Sequence, residues 1–87
     1  MTRRKARRYR PRMTEIADVI HKWGETPSEA YHALGADLGV AFHMPRDWAR
    51  RGRIPVQHVD AVVRAARARG LRGINHELIV RLVAEAV

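Results

Sequence analysis

The chain has 87 residues, of which 46% are hydrophobic, and a formal net charge of +8 at pH 7, so it provides one small domain with a modest core. It contains no cysteine, which excludes disulfide bonds and thiolate metal sites. It also contains no long apolar run of the kind found in membrane spans or secretion signals, so we expect a soluble, cytoplasmic protein.

The positive charge is concentrated at the N-terminus. Residues 1–12 contain seven of the seventeen basic residues and no acidic residue, whereas residues 13–87 carry ten basic and nine acidic residues. The seven are Arg3, Arg4, Lys5, Arg7, Arg8, Arg10 and Arg12. Because this segment has almost nothing to bury, we predict a disordered basic arm that contacts nucleic acid. Charge alone leaves a merely solubilising tail as the alternative.

The ends of the first two predicted helices are marked by capping residues and glycines. We expect Thr14 to cap the first helix and Gly24 to end it. The face of this helix that we expect to be buried carries Ile16, Val19, Ile20 and Trp23. The second helix begins with a capping box over residues 26–29 and ends at Gly39, which can adopt the positive φ of a sharp turn.

Three more helices follow in the chain. The third is predicted to hold Pro45 in its first turn, to turn Trp48 inward and to end at Gly52. Gly70 ends the fourth helix and Asn75 caps the fifth. The apolar stripe of the fourth consists of Val56, Val59, Val62, Val63 and Ala66, and that of the fifth of Leu78, Ile79, Leu82, Val83 and Ala86. No segment alternates with a period of two, so residues 13–87 are predicted to form an all-α domain of five helices.

The second and third helices form the most informative part of the chain. The segment Leu34–Pro55 predicts two short helices joined by a tight turn at Gly39. Where the helices cross, their backbones approach closely and require a small residue, which Gly35 supplies. We expect Val40 to enter the core and Trp48 to pin the third helix to the domain. Small proteins present a helix to the major groove of DNA with this arrangement.

This spacing resembles that of the Cro/CI-type (lambda-repressor-like) helix-turn-helix family of phage and bacterial regulators, over roughly residues 14–70. The run over residues 51–55 also resembles the tail that follows a tryptophan in many small phage members. Two positions differ from the usual family pattern: Pro45 stands where an aliphatic residue is usual, and Gly35 stands where alanine is usual. The resemblance implies that the third helix is the recognition helix.

The resemblance further implies that the start and outer face of the third helix meet base edges, through Phe42, His43, Arg46, Asp47 and Arg50. Arg46 and Arg50 lie one turn apart, and either can donate two hydrogen bonds to guanine O6 and N7. Asp47 either accepts from cytosine N4 or orients Arg50 or Arg51 through an ion pair. Phe42 either touches a thymine methyl group or fills the turn.

Other residues are better suited to phosphates. Arg51 and Arg53 follow the recognition helix, and Thr26 and Ser28 lie at a helix N-terminus that can hold a phosphate. Simple capping is the alternative role of Thr26 and Ser28. The arm is expected to follow the phosphates or to enter the minor groove. The arginines at positions 64, 67, 69 and 72 lie on or just after the fourth helix and are expected on a solvated surface, with a second DNA contact as the alternative.

Catalytic and metal motifs are absent from the sequence. The five histidines are spread over five segments with no pair at the i, i+4 spacing of a helical zinc site. His43 and Asp47 are one helical turn apart, but no serine or cysteine nucleophile accompanies them. We therefore expect neither enzymatic activity nor a cofactor or metal.

Together these features predict a sequence-specific, double-stranded DNA-binding transcriptional regulator, associated with the nucleoid and dimeric through its fifth helix. Repression needs only promoter occupancy, whereas activation needs a contact with the transcription machinery, and the residues do not distinguish the two. An excisionase-like or architectural DNA-binding protein is one alternative, although the helical pattern over residues 56–70 disfavours the β-hairpin of excisionases. An arginine-rich RNA-binding protein and a protein-binding module such as an antitoxin are the others.

Overall fold

The predicted apolar stripes become the inner faces of five α-helices in the computed structural model, which describes residues 13–86. The helices are α1 (Ile16–Ile20), which continues as a 3₁₀ turn (His21–Trp23), α2 (Pro27–Leu38), α3 (His43–Arg51), α4 (Val56–Arg69) and α5 (His76–Glu85). No strand occurs within these described residues, so the predicted all-α class and its five helices are confirmed. The predicted arm, residues 1–12, lies outside them.

Side-chain caps set the start of two helices where the sequence predicts them. The Thr26 hydroxyl oxygen accepts the N–H of Glu29 at 3.1 Å at the start of α2. The Asn75 side-chain oxygen accepts the N–H of Leu78 at 2.8 Å at the start of α5. At the other end of α2, Gly39 has a φ of 74°, a left-handed conformation that glycine adopts without steric cost. These predicted boundaries are confirmed.

The start of α1 differs from the prediction. Glu15, and not Thr14, is the residue that precedes the first helical turn. The carboxylate of Asp18 accepts the backbone N–H groups of both Thr14 and Glu15 at 3.0 Å. The Thr14 hydroxyl donates to the same carboxylate at 3.1 Å, so it does not cap the helix as an acceptor. The helix begins one residue late because Asp18 binds the backbone that Thr14 would otherwise organise.

The core draws on all five helices. Its buried side chains include Ile16, Val19 and Ile20 of α1, Trp23 of the 3₁₀ turn, Leu34 of α2, Trp48 of α3, Val59, Val62, Val63 and Ala66 of α4, and Ile79 and Leu82 of α5. Two residues that the sequence analysis placed on apolar stripes are not part of this core. Val56 is 85% exposed because it is the first residue of α4, where no other element covers it, and Ala86 is exposed where α5 ends.

The packing order leaves one side of α3 uncovered. α1 packs against α2, α3 and α5, while α2 packs against α3 and α4, and α4 against α5. α3 is therefore held by α1 and α2 along one side. None of the described helices is both long and apolar enough to cross a membrane.

α2 and the turn that follows it touch through their backbones at Gly35. A Cβ atom on Gly35 would lie 2.8 Å from the carbonyl oxygen of Val40 and 3.4 Å from the Cα of Phe42. The N–H of Val40 donates to the carbonyl of Gly35 at 2.9 Å and closes the turn. Even alanine fits here only if the backbone shifts, so the predicted need for a small residue is confirmed.

The prediction that Val40 enters the core is wrong. Val40 is half-buried and lies outside the buried cluster, while its backbone carbonyl lies against Gly35. Pro45 is instead fully buried, in the first turn of α3 as predicted. A proline is tolerated there because the N–H groups of the first turn have no partner within the helix. Pro45 thus lies in the core without breaking α3.

Asp37 connects three parts of the fold. Its Oδ2 accepts the indole N–H of buried Trp23 at 2.9 Å, and its two oxygens accept from Arg69 Nε and Nη2 at 2.6 and 3.0 Å. The hydrogen bond from Arg69, and to a lesser extent that from Trp23, lowers the pKa of Asp37 below its ordinary value of 3.8, although partial burial acts in the opposite direction. Asp37 therefore joins α2 to the end of α4 and to the 3₁₀ turn.

Replacing Gly35 by alanine should destabilise the fold by about 1–3 kcal/mol, because the added Cβ meets a backbone carbonyl that cannot rotate away. Urea unfolding followed by circular dichroism measures the change. Ala36→Gly, at an exposed site of the same helix, is the matched control and should cost about 1 kcal/mol through helix propensity alone. A Gly35→Ala variant more stable than the wild type would contradict the close backbone contact.

Asp37→Asn should destabilise the protein by about 1 kcal/mol at pH 7, because the variant removes the charged pair with Arg69 while the Trp23 hydrogen bond keeps an acceptor. Since the pKa of Asp37 is lower in the folded state, the pair stabilises the fold above pH 3.8. This contribution disappears as the pH falls from 3.8 through the folded-state pKa.

Urea unfolding at pH 7 and in acid tests this pH dependence, and the difference between wild type and Asp37→Asn should vanish in acid. Arg69→Ala and the double variant complete a double-mutant cycle. The double variant should be little less stable than either single variant. Additive effects of the two substitutions would show that the two side chains do not act as a pair.

Candidate nucleic-acid interface

α3 has a buried face and a polar face. Pro45 and Trp48 are buried, whereas His43, Arg46 and Arg50 are exposed and Asp47 is half-buried. The polar residues are spaced at i, i+3, i+4 and i+7, so they form one continuous surface. The structure thus brings four of the five predicted base-contacting residues onto one side of a single helix.

Trp48 and the end of α3 hold this helix in a fixed orientation. The indole is buried, and the ring of His58 from α4 lies against it with a centroid separation of 5.0 Å. The backbone N–H groups of Gly52 and Arg53 both donate to the carbonyl of Trp48, at 2.8 and 3.1 Å. The predicted role of Trp48 as the residue that pins α3 to the domain is confirmed.

The fifth predicted base-contacting residue, Phe42, precedes α3 and lies at the centre of a stack. Its ring is nearly parallel to that of His32 on α2, with centroids 4.5 Å apart and planes 17° apart. The guanidinium carbon of Arg46 lies 5.6 Å from the centroid of the Phe42 ring, and His43 meets the ring edge. The Phe42 side chain is 42% exposed, so it does not fill the turn.

Asp47 approaches Arg50 and no other arginine among the described residues. Its Oδ1 lies 3.7 Å from Arg50 Nη1, and the Arg50 side chain is 73% exposed. An ion pair with this exposure contributes less than about 1 kcal/mol. Arg50 therefore has the freedom to leave Asp47 for a stronger hydrogen-bonding partner.

A groove of about 460 Å³ runs beside α3 and is edged by further positive charge. It is lined by His43, Met44, Asp47, Trp48, Arg51, Arg53 and Pro55. Arg51 and Arg53 are both exposed at the end of α3 where the chain turns towards α4. Because both residues line the groove beside the polar face of α3, their positive charge would suit phosphates at the border of a DNA groove.

The N-terminus of α2 has a mixed character. Ser28 is exposed one helical turn before His32, so the two share a face of α2. The Thr26 hydroxyl is occupied as the cap acceptor, and Glu29 accepts the N–H of Glu25 at 3.2 Å. Two carboxylates therefore flank the predicted phosphate site and oppose an anion there.

The arm residues named above lie outside the described residues, but the chain that follows them is placed. Met13 packs against the core, and Thr14, Glu15 and Ile16 line one cleft with Gly52. Gly52 ends α3. Met13 itself lies against the loop between α4 and α5, where its Cε is 3.3 Å from the position of a Cβ on Gly73. The described chain therefore begins near this loop and passes the ends of α3 and α5.

The structure also assigns roles that the sequence pattern does not indicate. His32 is ten residues before its stacking partner, and Arg69 is 32 residues after Asp37, so no local spacing relates either pair. Arg64, in contrast, pairs with Asp60 at i, i+4 and lowers the pKa of that carboxyl. Arg64 and Arg69, two of the arginines of α4, thus form ion pairs with carboxylates. Within residues 13–86, no three histidine, aspartate or glutamate side chains gather in a group able to hold a metal ion.

No protein-family model matches this chain, and comparisons with curated proteins and with solved structures found no match.

Proposed function

We propose that this protein is a sequence-specific, double-stranded DNA-binding transcriptional regulator of phage or bacterial type. The exposed face of α3 with Arg46 and Arg50 supports this proposal most directly. Its buried face is fixed by Trp48, so a rigid helix presents two guanidinium groups to solvent one turn apart. The major groove is about 12 Å wide and accepts an α-helix, and arginine pairs with guanine O6 and N7 there.

Positive charge around α3 supports a phosphate-binding border in this proposal. Arg51 and Arg53 contact the DNA backbone at one end of the recognition helix. The basic arm reaches further phosphates or the minor groove. In this role the protein acts in the cytoplasm on nucleoid DNA, and occupancy of a promoter is sufficient for repression.

A single domain of this size makes few base contacts, so the proposal includes a homodimer on two half-sites about one helical turn apart. The fifth helix is kept as the proposed contact between two copies, although Ile79 and Leu82 of its apolar stripe are buried in the core of the domain. Val80, which is 63% exposed, is the large hydrophobic residue that α5 leaves at the surface for this contact. A second contact, with the transcription machinery, is required only if the protein activates.

The alternatives differ in how well the described residues fit them. An excisionase-like protein needs a β-hairpin after Pro55, whereas residues Val56–Arg69 form a helix. A nucleoid architectural protein and an arginine-rich RNA-binding protein both need the basic arm but not a discriminating α3 face. A measured preference for particular DNA sequences would therefore favour the proposed regulator over both of these alternatives.

Selection of duplexes from a random pool at near-physiological salt, read by sequencing, tests the proposal. The expected result is an enriched motif with two related half-sites. Tight, salt-sensitive binding without enrichment would overturn it in favour of an architectural protein, and preference for RNA over duplex DNA would favour the arginine-rich alternative. A protein partner retained at fixed stoichiometry, without DNA selectivity, would favour a protein-binding module.

Arg46→Ala and Arg50→Ala should each reduce discrimination between the selected duplex and random DNA roughly 5- to 150-fold, because each removes a guanidinium group that donates two hydrogen bonds to a base. Fluorescence anisotropy with both duplexes measures the ratio of dissociation constants. Arg67→Ala removes the same charge from an exposed position of α4 and serves as the control. An equal loss of discrimination in all three variants would contradict the role of α3.

Removing residues 1–12, which leaves a chain that begins with Met13, should weaken binding to selected and random DNA alike. The log–log slope of affinity against salt should fall by about 0.9 for each phosphate that the shortened chain no longer neutralises. A full-length arm with its seven basic residues changed to glutamine should behave in the same way. Loss of sequence preference without loss of affinity for random DNA would contradict this division of roles.

A further inference from the structure

Phe42 is an exposed aromatic ring, 42% accessible to solvent. It is one of three exposed large hydrophobic residues in the described part of the chain, and it stands at the start of α3. The Phe42 ring is nearly parallel to the ring of His32, which lies against it. The guanidinium group of Arg46 also approaches the Phe42 ring. Its orientation is therefore set before any partner arrives.

The neighbours of Phe42 determine what it can recognise. Arg46 lies one helical turn further along α3, and its guanidinium carbon is 5.6 Å from the Phe42 ring centroid. Guanine presents O6 and N7 to an arginine in the major groove, and thymine presents an apolar C5 methyl group to a hydrophobic side chain. Neighbouring base pairs are stacked, so the two groups stand side by side in DNA as Arg46 and Phe42 do in the protein.

We propose that Phe42 and Arg46 act as one unit that reads a guanine and a 5-methylpyrimidine in neighbouring base pairs. This inference rests on the proposed function and specifies part of the operator. Phe42 covers the C5 methyl group while Arg46 donates two hydrogen bonds to the adjacent guanine. His32 is a positioning residue, since its ring stacks on Phe42 and limits the rotamers that the phenyl ring can adopt.

The contact between Phe42 and the thymine methyl group is tested by removing that methyl group from the DNA. In the selected duplex, the thymine next to the guanine is replaced by uracil, which keeps the base pair and removes only the methyl. We expect about fourfold weaker binding to the wild-type protein, the effect of exposing one buried methyl group. Replacing that pair by C·G should weaken binding, and 5-methylcytosine in the same place should partly restore it.

Protein variants then assign the effect to Phe42. In Phe42→Ala the ratio of uracil to thymine dissociation constants should fall to about one, since no ring then covers the methyl group. Val56→Ala, which truncates another exposed hydrophobic residue, should leave the ratio unchanged. His32→Ala should lower the ratio, and His32→Phe, which keeps a ring to stack on, should retain it. All these side chains are exposed, and circular dichroism checks that each variant is folded.

The outcomes separate this inference from the function on which it rests. Absence of any enriched duplex overturns the proposed function itself. An enriched motif without a thymine beside its guanine, or one in which uracil substitution leaves wild-type affinity unchanged, overturns the inference alone. A uracil effect that persists in Phe42→Ala also overturns it, because another group must then touch the methyl.

Discussion

The backbone contact between Gly35 and the turn after α2 is the constraint on which the arrangement of α3 depends. Without a side chain at this position, the carbonyl of Val40 can lie against α2, and the Val40 N–H closes the turn on the Gly35 carbonyl. The chain then enters α3 after only four residues, 39–42, with Pro45 directed into the core. A bulkier residue at 35 would push the turn outward and with it the whole α3 face.

Some of the charged side chains stabilise the fold, whereas others face solvent. Asp37 accepts from Arg69 and Trp23 and joins helices that are distant in sequence, so this arginine has a structural partner. Within residues 13–86, Arg46 is instead exposed on α3 and approaches an aromatic ring, and Arg50 makes one exposed ion pair. Positive charge consequently remains available around α3, which is the condition for attraction to a polyanion.

The stack of His32 on Phe42 joins the two helices of the motif at their exposed edge. One ring belongs to α2 and the other to the residue before α3, so the stack fixes side-chain geometry across the turn. A recognition surface whose rotamers are limited before binding loses less conformational entropy on association. In the proposed complex, this surface meets base edges without first having to order itself.

Local sequence signals are sufficient to predict those elements whose formation depends on neighbouring residues. Periodic apolar residues predicted five helices, and Asn75 and Gly39 marked a cap and a turn, because these signals act within a few residues. The sequence also singled out the outer face of α3. The packing of the helices, in contrast, keeps Val40 out of the core, stacks His32 on Phe42 and pairs Arg69 with Asp37. These outcomes depend on which distant surfaces meet when the helices pack, and no local spacing encodes that meeting.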